Sequence, residues 1–158
     1  MGPSRHPDSE TSAWPVEKVC LQTIALDDPA TITRIADNFG RQSVVVSVDV
    51  KKNWRGEYKL YRSVDGKKIK QPWLEYLQNL VNAGAGEVIV NSVDLDGTME
   101  GYDLELIEAV VKTVDVPVIA SGGAGNYVHM LDAITKAGAS AVAAASMFHF
   151  TEQTPASD

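Results

Sequence analysis

The sequence contains a single cysteine, Cys20, among 158 residues. One thiol excludes an internal disulfide framework and a cysteine-rich zinc site. No apolar run approaches the roughly 20 residues that span a bilayer, and residues 1–10 lack the apolar stretch of a secretory signal. We therefore expect a cytoplasmic protein that does not enter a membrane.

An excess of positive charge is also absent. The sequence has 14 Lys and Arg residues against 21 Asp and Glu residues, a formal net charge of -7. No basic stripe stands out, so we expect no nucleic-acid binding. No two histidines have the spacing of metal ligands, and we predict neither a metal nor a cofactor. The hydrophobic content of 44% is ordinary for a globular protein and excludes wholesale disorder.

The composition divides the chain into three segments. Residues 1–15 are polar, with almost no apolar content, and we predict a disordered leader. Residues 16–150 have the apolar pattern of one domain. Residues 151–158 are a polar tail.

Short apolar runs alternate with helical patterns along the central segment. Predicted strands cover residues 18–23, 43–49, 88–94, 116–120 and 141–145. Predicted helices begin at Asp28-Pro29, Pro72, Asp103 and Asn126, where capping residues precede apolar residues at helical spacing. This alternation is typical of βαβ units in a parallel sheet. The run 43–49 lacks alternation, which predicts burial on both faces, and residues 51–70 predict an inserted hairpin or long loop.

Polar residues follow the predicted strands, all of which end at one rim of a parallel sheet. Asp49 ends an apolar strand without other charges, a position suited to general acid–base chemistry. The alternative is an aspartate that caps the next turn or pairs with Lys51 or Lys52. The two interpretations are equally compatible with the residues.

The loops after the last two strands predict a phosphate site. Ser121-Gly122-Gly123 precedes a helix, and Ala145-Ser146 opens a short one. Glycine lets backbone N–H groups approach an anion, and a helix amino terminus favours negative charge. The alternative is that these glycines serve only tight turns.

The stretch Asp94-Leu95-Asp96-Gly97-Thr98 forms a further turn at the same rim. One aspartate is expected to cap the turn and the other to face the pocket, but their spacing does not distinguish them. The Thr98 hydroxyl is a candidate donor to a phosphate or to that aspartate.

Four other residues are given structural roles. Cys20 lies in a strand and is predicted to be a buried, inert thiol. Trp54 is predicted to pack within the insertion. His129 and His149 are not at strand ends, and we expect structural or surface roles for both.

Several stretches together resemble the cyclase subunit of imidazole glycerol phosphate synthase, an enzyme of histidine biosynthesis. The similarity extends from about Val16 to Phe150. The matching stretches are Glu17-Lys18-Val19, Gln42–Asp49, Gly84-Ala85-Gly86-Glu87, Asp94–Thr98, Gly101-Tyr102-Asp103, Ala120–Gly125 and Ala144–Phe150. The resemblance implies a TIM-type parallel (β/α) barrel.

The resemblance also implies an activity and roles for particular residues. Enzymes of this family take ammonia from a glutaminase partner, then cleave and cyclise a bis-phosphorylated ribulosyl-formimino intermediate. Two aspartates act as acid and base, and Asp49 matches one of them. The remaining matches are Gly97, Gly122, Gly123, Ala145 and Ser146 around one phosphate, Gln22 and Thr23 near the other, and Lys18 and Glu87 at the ammonia entrance.

The resemblance covers strands 4–8 of an eight-stranded barrel, which needs roughly 250 residues. The first catalytic aspartate is therefore expected to be absent, and this chain alone to be inactive. Because an incomplete barrel exposes strand edges, we expect self-association or pairing with an N-terminal half-barrel.

Two alternative functions remain open. Gln22 and Asn91 differ from the common family residues, and parts of the chain look closer to a paralogous branch linked to acetamidino-sugar surface polysaccharides. The second alternative is a non-catalytic half-barrel that binds phosphate compounds.

Overall fold

A computed structural model describes residues 18–22 and 27–144, and for residues 67 and 68 it describes the backbone alone. The predicted leader and tail lie outside the described residues, as do four of the residues singled out above: Thr23, Ala145, Ser146 and His149.

Strands and helices alternate through the described residues. The strands are β1 (Val19–Leu21), β2 (Val44–Lys52), β3 (Tyr58–Arg62), β4 (Lys67–Lys68), β5 (Glu87–Ser92), β6 (Val118–Ser121) and β7 (Ala141–Val142). The helices are α1 (Pro29–Phe39), α2 (Trp73–Ala83), α3 (Leu104–Thr113) and α4 (Tyr127–Thr135), with a 3-10 turn at Arg41–Ser43. Within the described ranges, none of the helices has the length and apolarity to cross a membrane.

The helices begin where the capping residues predict. The side chain of Asp28 accepts a hydrogen bond from the backbone N–H of Ala30, and Pro29 is the first residue of α1. Asp103 caps α3 in the same way, and Asn126 caps α4. These bonds satisfy backbone donors that have no partner inside the helix. Helix α2 starts after Pro72 without a side-chain cap.

The strands form a sheet with the order β4-β3-β2-β5-β6-β7. Neighbouring strands from β2 through β5 and β6 to β7 are parallel, as the sequence predicts. The opposite edge of β2 is shared: β1 pairs in parallel with Val44–Val46, and β3 pairs antiparallel with Asp49–Lys52. Residues 51–70 therefore contain the predicted hairpin, and it extends the sheet beyond the end of β1.

The two faces of the sheet differ in burial. On the outer face, which the helices cover, Val46, Val88 and Ala120 are fully buried. On the inner face, Ile89 and Ile119 remain partly exposed. Strand β2 is therefore buried on both faces along most of its length, as the sequence predicts. In β5 and β6, buried residues alternate with half-buried ones.

Two packing predictions are wrong. Cys20 is exposed, because it lies on the inner face of β1 and no described residue covers that face. Its pKa is nevertheless raised by partial burial, which does not favour a reactive thiolate. Trp54 is 85% exposed at the hairpin tip instead of packing within the insertion.

Candidate active site

Asp49 lies in a row of polar residues across the inner face of the sheet. The strand register places Asp49 beside Asn91 on β5, and Asn91 beside Ser121 on β6. Gly122 and Gly123 follow Ser121 directly. The predicted acid–base residue and the predicted phosphate turn therefore occupy the same rim, where the parallel strands end.

Three side chains donate hydrogen bonds to the Asp49 carboxylate. Asn91 Nδ2 lies 2.9 Å from Oδ1, and Gln22 Nε2 lies 3.1 Å from Oδ2. The Ser63 hydroxyl donates to the same Oδ2. Gln22 follows β1 and Ser63 follows β3, so the site forms where those two strands meet along the edge of β2.

The alternative role of Asp49 as the partner of a neighbouring lysine does not match this geometry. The ammonium group of Lys51 lies over the Tyr61 ring, 5.4 Å from its centroid. That of Lys52 lies 3.8 Å from Asp103. Among the described residues, Asp49 has no ion pair, and its hydrogen-bond partners are neutral.

This arrangement suits a group that exchanges a proton with a ligand. Carboxylate oxygens accept hydrogen bonds, so the three donors fix the orientation of the Asp49 side chain. Asp49 is 8% exposed, and the inner face beside it is open among the described residues. A ligand on that face could reach the carboxylate oxygens at hydrogen-bond distance.

Backbone conformation requires glycine at the predicted phosphate turn. Gly122 and Gly123 have φ values of 86° and 103°. A Cβ atom on Gly122 would lie 2.6 Å from the Ser92 carbonyl oxygen, and one on Gly123 would lie 2.0 Å from that of Gly101. The interpretation of these glycines as turn residues is therefore sufficient to explain their presence.

The same turn also lines a small cavity. The cavity has a volume of about 50 Å³, and its lining residues are Asp96, Ser121, Gly122, Gly123, Ala124, Ala143 and Ala144. The amino terminus of α4 follows this turn, which favours an anion there. The Asp96 carboxylate opposes that preference, so a bound phosphate needs further donors.

The two aspartates of the preceding loop have different positions. Asp94 accepts a hydrogen bond of 2.7 Å from the backbone N–H of Lys52 and so fixes the end of β2. Asp96 lines the cavity. Gly97 has a φ of 77° and open space around it, whereas the Thr98 hydroxyl donates to the Leu95 carbonyl oxygen at 2.8 Å. Neither Gly97 nor Thr98 lines this cavity.

Lys18 and Glu87 form an ion pair at the opposite end of the sheet. Lys18 precedes β1 and Glu87 begins β5, so the pair lies across the amino-terminal end of β2. Glu87 is level with Val45, four residues before Asp49 on β2. At the usual rise of a strand, the pair lies about 13 Å below the Asp49 row.

The sequence did not predict every residue that surrounds Asp49 and the glycine turn. Asn91 has a recognisable signal, a polar residue at an inner-face position of an apolar strand. Ser63 has none, because only the hairpin register brings it to Asp49. His129 has the predicted structural role: its Nδ1 accepts a hydrogen bond of 3.2 Å from the Gly125 N–H and supports the glycine turn.

Residues 9–154 match the family model described as "Histidine biosynthesis protein". An imidazole glycerol phosphate synthase subunit HisF of Chlorobaculum parvum is 46% identical over 134 residues, which cover 85% of this chain and 53% of that protein. The HisF subunit of Chlorobium phaeobacteroides is 46% identical over 139 residues, covering 87% and 55%. A Pseudomonas aeruginosa protein provisionally named imidazole glycerol phosphate synthase subunit hisF2 is 44% identical over 135 residues, covering 85% and 54%. The chain thus spans about half the length of these relatives.

Proposed function

Because this chain belongs to the histidine biosynthesis protein family, we propose that it forms part of the cyclase of an imidazole glycerol phosphate synthase. The proposed reaction is a lyase and cyclase reaction. Ammonia and a bis-phosphorylated ribulosyl-formimino intermediate give imidazole glycerol phosphate, an aminoimidazole carboxamide ribotide and one molecule of water. Asp49 serves as one of the two acid–base groups, and the Gly122-Gly123 turn contributes to one phosphate site.

The observation that carries this proposal is the environment of Asp49. Its carboxylate is oriented by Gln22, Ser63 and Asn91, which come from three different strand ends. A purely structural aspartate is expected to cap a turn or pair with a cation. Three neutral donors instead hold this carboxylate in one orientation at the rim where the parallel strands end, as an acid–base group requires.

We propose that the second acid–base aspartate and the second half of the barrel come from a segment beyond the residues matched here. The half-buried inner face of β5 and β6 supports this, since the strands of a complete barrel are covered on both faces. The exposed inner side of β1 supports it as well.

We further propose that ammonia from a glutaminase subunit enters at the amino-terminal end of the sheet. The Lys18–Glu87 ion pair supports this proposal, because it stands at that end on the inner face, in line with Asp49. The Lys18 side chain is 51% exposed, so opening the pair costs little energy, as a gate requires. This function places the protein in the cytoplasm.

A chimera tests the proposed activity. The first three strands of the Chlorobaculum parvum relative are joined to this chain, and turnover of the formimino intermediate is measured with ammonium salt. We expect turnover by the chimera and little or none by the 158-residue chain alone. The change Asp49→Asn should lower kcat at least about a hundredfold, because acid–base groups contribute on that scale.

Asp37→Asn provides the matched control, since Asp37 is an exposed aspartate on α1. It should leave turnover unchanged. A folded chimera whose Asp49→Asn variant keeps full turnover would contradict the acid–base role. Normal turnover by the chain alone would contradict the need for a complementary segment.

A second candidate function is favoured by one observation. Gln22 and Asn91, the two residues that differ from the common family pattern, are both direct partners of Asp49. Such a change at the reacting carboxylate is expected where the substrate differs, as in a paralogue that uses ammonia to build an acetamidino group on a sugar. If the folded chimera lacks cyclase turnover but Gln22→Asn, which restores the residue usual in the family at this position, increases it, this second candidate is the better one.

A further inference from the structure

Positive charge is concentrated in the hairpin, although no basic stripe stands out over the whole sequence. Residues 51–70 hold eight of the 14 Lys and Arg residues and two of the 21 acidic residues. The segment therefore carries a net charge of +6, and the rest of the chain carries -13. Such a separation of charge within one protein attracts anions to the hairpin.

Part of this charge faces the same side as Asp49. Asp49 pairs with Tyr61, and Lys51 pairs with Lys59 two residues further along β2. Residues two apart on a strand share a face, so Lys51 and Lys59 lie on the inner face with Asp49. The backbone bond from Ile69 to Leu60 places Lys70 next to Lys59. The inner face thus continues from Asp49 into a row of lysines.

A cleft opens at the end of this row. It has a volume of about 370 Å³ and is lined by Asn53, Trp54, Lys59, Ile69 and Lys70. That volume is within the range of small-molecule sites. Lys59 lies 3.6 Å from Glu57, which offsets part of its charge, whereas Lys70 has no ion pair within the described ranges.

Trp54 contributes an unused aromatic surface to the cleft. The Arg55 guanidinium lies over its ring, 4.6 Å from the centroid, and the indole is otherwise 85% exposed. An exposed tryptophan loses the large stabilisation that burial of its ring would give. A ring stacked on the indole would recover it, and the neighbouring guanidinium and ammonium groups would attract an anionic substituent.

We propose that this cleft binds a phosphorylated compound with a planar aromatic ring, of the size of a nucleoside monophosphate. The ring stacks on Trp54 and contacts Ile69, and the phosphate lies between Lys59 and Lys70. The site is separate from the Asp49 row and does not depend on the proposed cyclase activity. A polynucleotide is disfavoured because the net charge of the chain outside the hairpin is -13.

Calorimetric titration of the full chain with AMP tests the site. Two comparison probes are used: adenosine, which lacks the charge, and inorganic phosphate, which lacks the ring. We expect AMP to bind at least about tenfold more tightly than either, because only AMP uses both the stacking surface and the lysines. Its affinity should fall as salt is raised.

Variants locate the binding to the cleft. Trp54→Ala should weaken AMP binding about tenfold and Trp54→Phe much less, since a phenyl ring still stacks. Lys59→Met and Lys70→Met should each weaken it about threefold. The matched controls are Tyr127→Ala, which removes an aromatic side chain that is 60% exposed on α4, and Lys112→Met on α3. Circular dichroism verifies that each variant folds.

Three results would overturn the proposal. One is AMP binding no tighter than phosphate or adenosine. Another is an unchanged AMP affinity in folded Trp54→Ala. The third is much tighter binding of a single-stranded oligonucleotide than of AMP, which would indicate a nucleic-acid surface.

Discussion

Replacing Gly123 by alanine should destabilise the fold far more than the same change at Gly97. Both glycines have positive φ values, 103° and 77°, so both variants strain the backbone by about 1–2 kcal/mol. The surroundings differ. A Cβ atom on Gly97 meets nothing within 4 Å, whereas one on Gly123 would lie 2.0 Å from the Gly101 carbonyl oxygen.

Relief of that overlap requires the two loops to separate. The separation breaks the 2.7 Å hydrogen bond from the Gly101 N–H to the Gly123 carbonyl, worth about 1 kcal/mol. Overpacking adds about 1–3 kcal/mol. We therefore expect Gly123→Ala to lower the free energy of unfolding by about 4 kcal/mol, and Gly97→Ala by about 1–2 kcal/mol.

Urea unfolding followed by circular dichroism measures both variants, provided that the slope with denaturant stays constant. Equal losses at the two positions would refute the reasoning, because backbone strain alone would then explain both. A large loss only at Gly97 would refute it as well.

Three further predictions concern ionisable groups. Burial raises the pKa of Tyr102 to about 12, so its contribution to stability is present below the usual tyrosine pKa near 10 and is lost as the pH rises towards 12. Tyr102→Phe should reduce this alkaline loss of stability, and at pH 8 it should cost about 1 kcal/mol because the hydroxyl hydrogen bond to the Ala143 carbonyl oxygen is removed. Urea unfolding at pH 8 and pH 11 measures both effects. Cys20 should react with a thiol reagent in the folded chain at a rate that rises with pH, and joining the first three strands of the Chlorobaculum parvum relative should protect it. Protection in the chain alone would contradict its exposed position. Lys18→Met should change the free energy of unfolding by less than about 1 kcal/mol, because the lysine is half exposed, and a larger salt-dependent loss would show a stronger ion pair.

Local signals in the sequence were sufficient for much of the fold. Caps at Asp28, Asp103 and Asn126 located helix starts, because capping depends on neighbouring residues alone. The exposure of Cys20 was not predictable in this way. Its strand has the apolar pattern of a buried element, and burial depends on which segments cover the inner face.

The candidate site was predictable only in part, for a related reason. Asp49 and Gly123 could be assigned to one rim, since parallel strands have a common direction. The hydrogen bond from the Ser63 hydroxyl to Asp49 could not be predicted, because it depends on the register of an inserted hairpin. The positive charge of that hairpin is visible in the sequence, but the net charge of the whole chain hides it because the other residues are acidic.

Stability and activity should be coupled in this fold through the inner face. The outer face packs against helices, with Val46, Val88 and Ala120 fully buried. The inner face carries Asp49 and is left partly open among the described residues. Any segment that completes the barrel therefore buries the half-exposed apolar residues of β5 and β6 and closes the pocket around Asp49 in the same step. It follows that variants which weaken this association should reduce turnover and thermal stability together.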